Sequence, residues 1–178
     1  MKFLDRGGRV PAVVLTRADL PRGEKVLAHT VARDGTWLLG TRLRLVVVDE
    51  QRAVQIPWET VEDAAWKQDD ARLSFTETGQ YGEPRPTYSF EVEDPALLLQ
   101  LVRERVTASV VLQRRVPVRG RLGLTVIARR SPVGGPVAWM HAYDAGLDPN
   151  DPEVVAVADR ALEQARAEVG EPVDGPVS

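Results

Sequence analysis

The chain has 178 residues, of which 43% are hydrophobic and 28% charged, and a formal net charge of −3 at pH 7. These values are typical of a globular domain with its own core, and the absence of cysteine excludes disulfides, thiol nucleophiles and cysteine-ligated zinc. No apolar run approaches the roughly 18 residues of a membrane-spanning helix, and the N-terminal residues lack the apolar stretch of a secretory signal. We therefore expect a cytoplasmic protein.

The first part of the chain predicts an irregular arm followed by a series of short strands. Glycines and prolines punctuate residues 1–23, which indicates an extended N-terminal arm with one strand at residues 12–16. From residue 24 onwards, short β-type runs alternate with turns, and Asp34-Gly35 is typical of a hairpin turn. We expect about seven strands up to residue 92, a spacing that favours a barrel or a sandwich.

The segment IPWETVEDAAW, residues 56–66, places two tryptophans around three acidic residues. We interpret it as a strand, a bend and a second strand. Val61 and Trp66 are an odd number of positions apart, so strict alternation cannot turn both inward. Either a β-bulge lies between them or Trp66 faces outward, and an outward Trp66 would be a candidate contact residue.

A helix is predicted to begin at Asp94 as N-cap, with Pro95 in the first turn. Its apolar stripe comprises Leu97, Leu98, Leu101, Val102 and Val106. Its end is left open, because the β-branched residues that follow suit either a last helical turn or a strand, and Pro117 sets the limit.

The last third of the chain predicts a β-hairpin and a helix. Residues 122–130 and 137–144 flank the turn sequence SPVGGP, and a final helix runs from the N-cap Asp151 to the terminator Gly170. The predicted apolar face of this helix comprises Val154, Val155, Ala158, Leu162, Ala165 and Val169. Residues 171–178 are expected to form a disordered tail.

Charge is distributed unevenly along the chain. Residues 103–130 contain eight arginines and one acid, whereas residues 144–178 contain nine acids and two arginines. Two interpretations remain open: the two regions neutralise each other or lie apart as solvated surface, or the basic segment binds an anion. If residues 111–123 are extended, the alternation turns Arg115, Arg119 and Arg121 to one face.

The stretches GTRLRLVVVD, IPWETVEDAAW and RLSFT, followed by one amphipathic helix, resemble the bacterial pleckstrin-homology-like (PH-like) domains. The remainder, with RRVPV and a hairpin that ends in YDAGLDPNDP, resembles uncharacterised actinobacterial proteins of similar length. The resemblance implies an α+β fold, mainly β: a bent barrel of about seven strands capped by a helix, then a β-hairpin and a C-terminal helix. The implied division is an arm (1–23), a PH-like barrel with its helix (24–113), a hairpin with a C-terminal helix (114–170) and a tail (171–178).

The sequence offers no set of residues for catalysis, a metal or a cofactor. His29 and His141 lack a neighbouring nucleophile motif, and the acids near His141 do not have the spacing of a calcium loop. We therefore predict that the chain is not an enzyme and needs no cofactor. Arg33 is the one basic residue in the loop that PH-like lipid binders use, so phosphoinositide binding is not expected.

Two hypotheses on function follow. The first is an interaction module that binds a protein partner, or a second copy of itself, through a sheet edge or the basic strand. The second is a nucleic-acid or ribosome-associated protein that uses the arginine-rich segment 103–130. A third possibility, a barrel that binds a small molecule, requires a sizeable cavity. The predicted partner-binding residues are Arg114, Arg115, Arg119, Arg121 and Trp66.

Overall fold

The computed structural model describes residues 9–78 and 86–170. Over these residues the fold is α+β and mainly β, with three helices and three antiparallel sheets. The chain divides into two compact units, residues 1–107 and 108–178. The predicted tail at 171–178 and most of the predicted loop at 79–86 lie outside the described residues.

The strands of the first unit follow the predicted series of short runs and turns. They are β1 (Val26–Val31), β2 (Trp37–Thr41), β3 (Arg44–Val48), β4 (Ala53–Pro57), β5 (Val61–Lys67), β6 (Arg72–Glu77) and β7 (Thr87–Glu91). The Asp34-Gly35 turn is confirmed: Gly35 has a φ of +90°, and the Asp34 carboxylate accepts a hydrogen bond from the Thr36 amide at 2.9 Å.

These seven strands form two sheets within the described residues, one in the order β1-β2-β3-β4 and the other in the order β5-β6-β7. A closed barrel is therefore not present there, although a single bridge joins Ala32 and Val92, just beyond the ends of β1 and β7. Between β4 and β5, one turn of 3-10 helix (Trp58–Thr60) changes the direction of the chain from one sheet to the other.

Helix α2 (Ala96–Ser109) begins at the predicted place, since the Asp94 carboxylate accepts a hydrogen bond from the Ala96 amide at 3.2 Å. The predicted apolar stripe is wrong at one position: Leu97 is 72% exposed, and Leu99 is buried instead. The open question of where the helix ends is answered at Ser109, after which the chain continues as a strand.

Both sheets and α2 share one core in the first unit. Its buried members are Ala28, Leu38, Leu45, Val47, Ile56, Trp58, Val61, Leu73, Phe75, Val92, Leu98, Leu99, Leu101 and Val102. The helix approaches β2 so closely at Gly40 that an added Cβ would lie 2.6 Å from Cδ2 of Leu101 and 2.9 Å from Cδ1 of Leu98. A larger residue at this point would force the ends of both leucine side chains to shift within the core.

The prediction of an extended arm with a strand at residues 12–16 is wrong. Residues Ala12–Ala18 form helix α1, which starts directly after Pro11. Val14 and Ala18, four positions apart, are buried against Val46 and Val48 of β3. Tertiary packing thus overrides the strand preference of a run rich in β-branched residues.

A hydrogen-bonded network joins α1 to the first sheet. The Gln55 amide group donates to the carbonyl oxygens of Ala18, at 2.9 Å, and Asp19, at 3.1 Å. Arg44 donates to the Gln55 side-chain oxygen at 2.6 Å and forms an ion pair at 3.2 Å with Glu24, which is nearly fully buried. These contacts hold the end of α1 against the first sheet, because breaking them would leave polar groups without their partners.

The second unit consists of β8 (Val110–Arg119), β9 (Leu122–Arg129), β10 (Ala138–Tyr143) and α3 (Pro152–Val169). The predicted hairpin is confirmed as β9 and β10, and the sheet order is β10-β9-β8. Strand β8 continues directly from α2, so the predicted boundary between residues 113 and 114 lies inside this strand.

Gly40→Ala is expected to lower the free energy of unfolding by about 1–3 kcal/mol, the usual cost of overpacking a core. Denaturation in urea measures this change. In a Leu101→Ala background, which opens space above Gly40, the same substitution should cost much less. An equal cost in both backgrounds would contradict the close contact between α2 and β2.

Candidate functional site

Helix α3 has the predicted ends. Asp151 is the N-cap, with its carboxylate accepting a hydrogen bond from the Glu153 amide at 2.9 Å, and Pro152 occupies the first turn. Gly170 adopts the left-handed conformation at φ +78° and terminates the helix. With these ends, Asp151 and Glu153 lie at the start of α3 and Glu168 lies in its last turn.

The face that α3 buries overlaps with the predicted face but is not identical to it. Its buried residues are Val154, Ala158, Ala161 and Ala165, whereas Val155 is 38% exposed. The three alanines pack against Leu124 and Val126 of β9, with Leu112 and Val116 of β8 partly buried beside them. Three alanines in this row let the helix lie close to the sheet, because they place no long side chain between the two.

Three of the predicted arginines are paired with acids of the C-terminal region. Arg114 forms an ion pair with Glu168, near the end of α3. Arg115 contacts the two carboxylate oxygens of Asp144 at 2.6 and 3.0 Å. Arg119 pairs with Glu153 and with Asp151, the latter at 3.2 Å, at the start of α3.

This pairing agrees with the first of the two interpretations of the charge asymmetry. The second unit neutralises much of its basic strand with its own acids, as the first interpretation expects. The guanidinium groups nevertheless remain accessible, since the side chains of Arg115 and Arg119 are 55% and 56% exposed. Both occupy exposed positions of the alternating β8 pattern, while Arg114 occupies a partly buried one.

Hydrogen bonds to Asp144 shift its titration strongly. The Arg115 guanidinium and the Gly123 amide, which donates at 2.9 Å, lower the pKa of Asp144 to about 2. The Glu153 amide and Arg119 lower the pKa of Asp151 in the same way. Both carboxylates are therefore charged at neutral pH and hold the arginines in place.

Arg121 stands apart from the other three arginines. It lies in the turn between β8 and β9, next to Gly120 at φ +59°. Its carbonyl oxygen accepts a hydrogen bond from Arg115 at 3.2 Å. No ion pair of its side chain occurs with the residues that the structure describes, so Arg121 differs from the other three predicted arginines in its contacts.

The side chain of Trp66 faces the first core. A register shift between Val61 and Asp63 marks the bulge that the sequence offered as one alternative. Beyond it, Ala64 and Trp66 pair with the buried Phe75 and Leu73. Trp66 is accordingly half-buried against the first core.

The acids near His141 have structural partners. Asp144 and Asp151 hold arginines, and the side chain of Asp148 accepts a hydrogen bond from the Asn150 amide at 2.9 Å. His141 lies in β10, where burial lowers its pKa against the opposing effects of the Ala158 backbone and Asp159. Within residues 9–78 and 86–170, no group of three or more His, Asp or Glu residues is placed to hold a metal ion.

The outer edge of β8 is one of the two edges of the sheet in the second unit. This strand lies at one end of its sheet and, among the described strands, pairs with β9 alone. Beside this edge, β8 and α3 form the two walls of an open groove with a volume of about 260 Å³. The groove is lined by Val116, Pro117, Val157, Arg160, Ala161 and Gln164.

Sequence reasoning missed the α3 side of this groove. Val157, Arg160 and Gln164 recur at helical spacing, so they form a second stripe next to the buried one. That periodicity was visible in the sequence. The strand that the stripe would face was not, because it depends on how α3 packs against the sheet.

Comparisons of the chain with protein-family models, with curated proteins and with solved structures gave no match. The resemblance to PH-like domains therefore stays a prediction. Among the helices of the described residues, none is both long and apolar enough to cross a membrane.

Arg115→Gln is expected to raise the pKa of Asp144 from about 2 towards its ordinary value of 3.8. A carboxylate whose folded pKa is lowered stabilises the fold above its unfolded pKa and loses that effect as the pH falls through the folded one. The variant should therefore lose less stability than the wild type between pH 3.8 and pH 2.

Carboxyl-carbon NMR titration and acid denaturation measure the two effects of Arg115→Gln. Arg114→Gln is the matched control, because Arg114 pairs with Glu168 and should leave the Asp144 titration unchanged. An unshifted Asp144 in Arg115→Gln would contradict the ion pair.

Proposed function

We propose that this chain is a non-catalytic interaction module that binds a protein partner along the outer edge of β8. The observation that carries the proposal is the position of this edge beside the groove formed with α3. An edge strand presents N–H and C=O groups that an extended segment of another protein can pair with. Side chains of the added segment point alternately to the two faces of the sheet. Those on the same face as α3 enter the groove.

The size of the groove favours a peptide over a small molecule. Its volume of about 260 Å³ lies below the roughly 300–1,000 Å³ typical of small-molecule sites. One or two side chains fill such a space, and the main-chain pairing supplies the remaining contacts. Pro117, which lacks an N–H, suits an edge position and limits pairing to the part of β8 before it.

For residues 24–113 we propose the PH-like fold. Its support is the arrangement of four strands, three strands and a helix in chain order, together with the single core that these elements share. The fold alone would not select a ligand. The proposed binding surface therefore rests on β8 and α3 and not on the resemblance.

The alternative function, nucleic-acid binding by residues 103–130, has less support. Arg114, Arg115 and Arg119 each have a carboxylate partner within the second unit. A phosphate backbone would have to displace those carboxylates or tolerate their charge. We therefore do not propose this function.

The test is to select linear peptides that bind the full-length chain from a random library, and then to block the groove. Gln164→Trp adds a large ring to an exposed groove position. It should weaken the selected peptides at least about tenfold, as loss of a central contact does. Glu163→Trp, the same change at the next exposed position of α3, should leave their binding intact.

Titration of fluorescent synthetic peptides measures both affinities. Two results would overturn the proposal: a library that yields no binding peptide, or peptides that bind Gln164→Trp as well as they bind the wild type.

A further inference from the structure

The groove between β8 and α3 has an apolar floor and one charged side chain without a carboxylate. Val116, Val157 and the buried Ala161 form apolar parts of its lining. Arg160 and Gln164, both exposed, belong to the α3 wall. An apolar floor beside a cation favours a ligand that carries an apolar group and a negative charge close together.

Ion pairs lie at both ends of the groove, and Arg160 lies between them. At one end Arg119 pairs with Glu153, and at the other Arg114 pairs with Glu168. Between them, Nε of Arg160 donates to the Ala156 carbonyl of its own helix at 3.2 Å. Over the part of the chain that the structure covers, no carboxylate pairs with Arg160.

The spacing of a bound strand fits this arrangement. Side chains two positions apart in an extended segment face the same side, about 6.5–7 Å from each other. Val157 and Arg160 are separated along the helix axis by about 4.5 Å, and the long arginine side chain spans the difference. One residue of the segment can thus cover Val157 and Ala161 while the residue two positions away reaches Arg160.

A second copy of this chain fits the groove poorly. The β8 strand of a second copy (Val110–Arg119) contains no aspartate or glutamate that could pair with Arg160. The segment that charge complementarity favours is acidic, and β8 is not.

We propose that the groove recognises an extended segment of another protein in which an apolar residue and an aspartate or glutamate lie two positions apart. The apolar side chain packs over Val157 and Ala161, and the carboxylate pairs with Arg160. This inference rests on the proposed function, since it specifies the partner that the β8 edge binds.

Charge exchange on both sides of the contact tests the inference. The probe is the tightest peptide from the random library, made with its acidic residue and with glutamine or lysine in that place. On the wild-type chain, glutamine should weaken binding up to about fivefold, the upper range for an accessible ion pair, and lysine should weaken it further. On Arg160→Glu the order should reverse, so that the lysine peptide binds best.

Arg103→Glu is the matched control, because it makes the same charge change at an exposed position of α2. It should keep the wild-type order of the three peptides. Arg160→Gln, which removes the charge without reversing it, should bind all three with similar affinity. This second variant keeps the test decisive if Arg160→Glu proves unstable.

The outcomes separate the two proposals. Peptides that bind at the groove but carry no acid two positions from an apolar residue would overturn the inference and leave the proposed function standing. The inference would also be overturned if Arg160→Glu left the order of the three peptide affinities unchanged, and the proposed function would again stand. A library that yields no binding peptide would overturn both.

Discussion

The close packing of α3 on its sheet is the constraint on which the surface of the second unit depends. Ala158, Ala161 and Ala165 make up most of the buried row of the helix, so its axis lies near β8 and β9. At this distance the acids at its two ends reach arginines of β8. The same packing leaves a groove of about 260 Å³ between α3 and β8. A larger residue at any of these alanines would alter the ion pairs and the groove together.

The charge asymmetry of the sequence acquires a specific meaning in this arrangement. Acids supplied by the C-terminal region hold Arg114, Arg115 and Arg119, and they belong to three different parts of the unit: both ends of α3 and the segment after β10. The arginines therefore fix the helix and the loop to β8. Arg160 lies between two of these pairs and has no described carboxylate partner, which is why we propose it as the contact for a charged ligand.

Local patterns were sufficient to predict most elements of this fold. The Asp34-Gly35 turn, the caps Asp94, Asp151 and Gly170, and period-two alternation located strands and helix ends because these signals depend on neighbouring residues alone. The odd spacing of Val61 and Trp66 left two alternatives, of which the bulge is the one observed.

Features that depend on distant residues were beyond such patterns. Residues 12–16 read as a strand, yet burial of Val14 and Ala18 on β3 makes them helical. The arginine row was recognised, but its carboxylate partners were not, because the pairs join residues 29–54 positions apart. The groove likewise exists only where β8 and α3 meet.

Hydrogen exchange at the backbone amides of β8 tests the central claim most directly. The amides of β8 that do not pair with β9 should exchange fast in the free chain and become protected when a selected peptide binds, while those bonded to β9 stay protected throughout. This alternating gain along Val110–Val116 is the result expected of an added strand. A peptide that binds tightly but leaves these amides unchanged, or protects a segment of the first unit instead, would contradict the account.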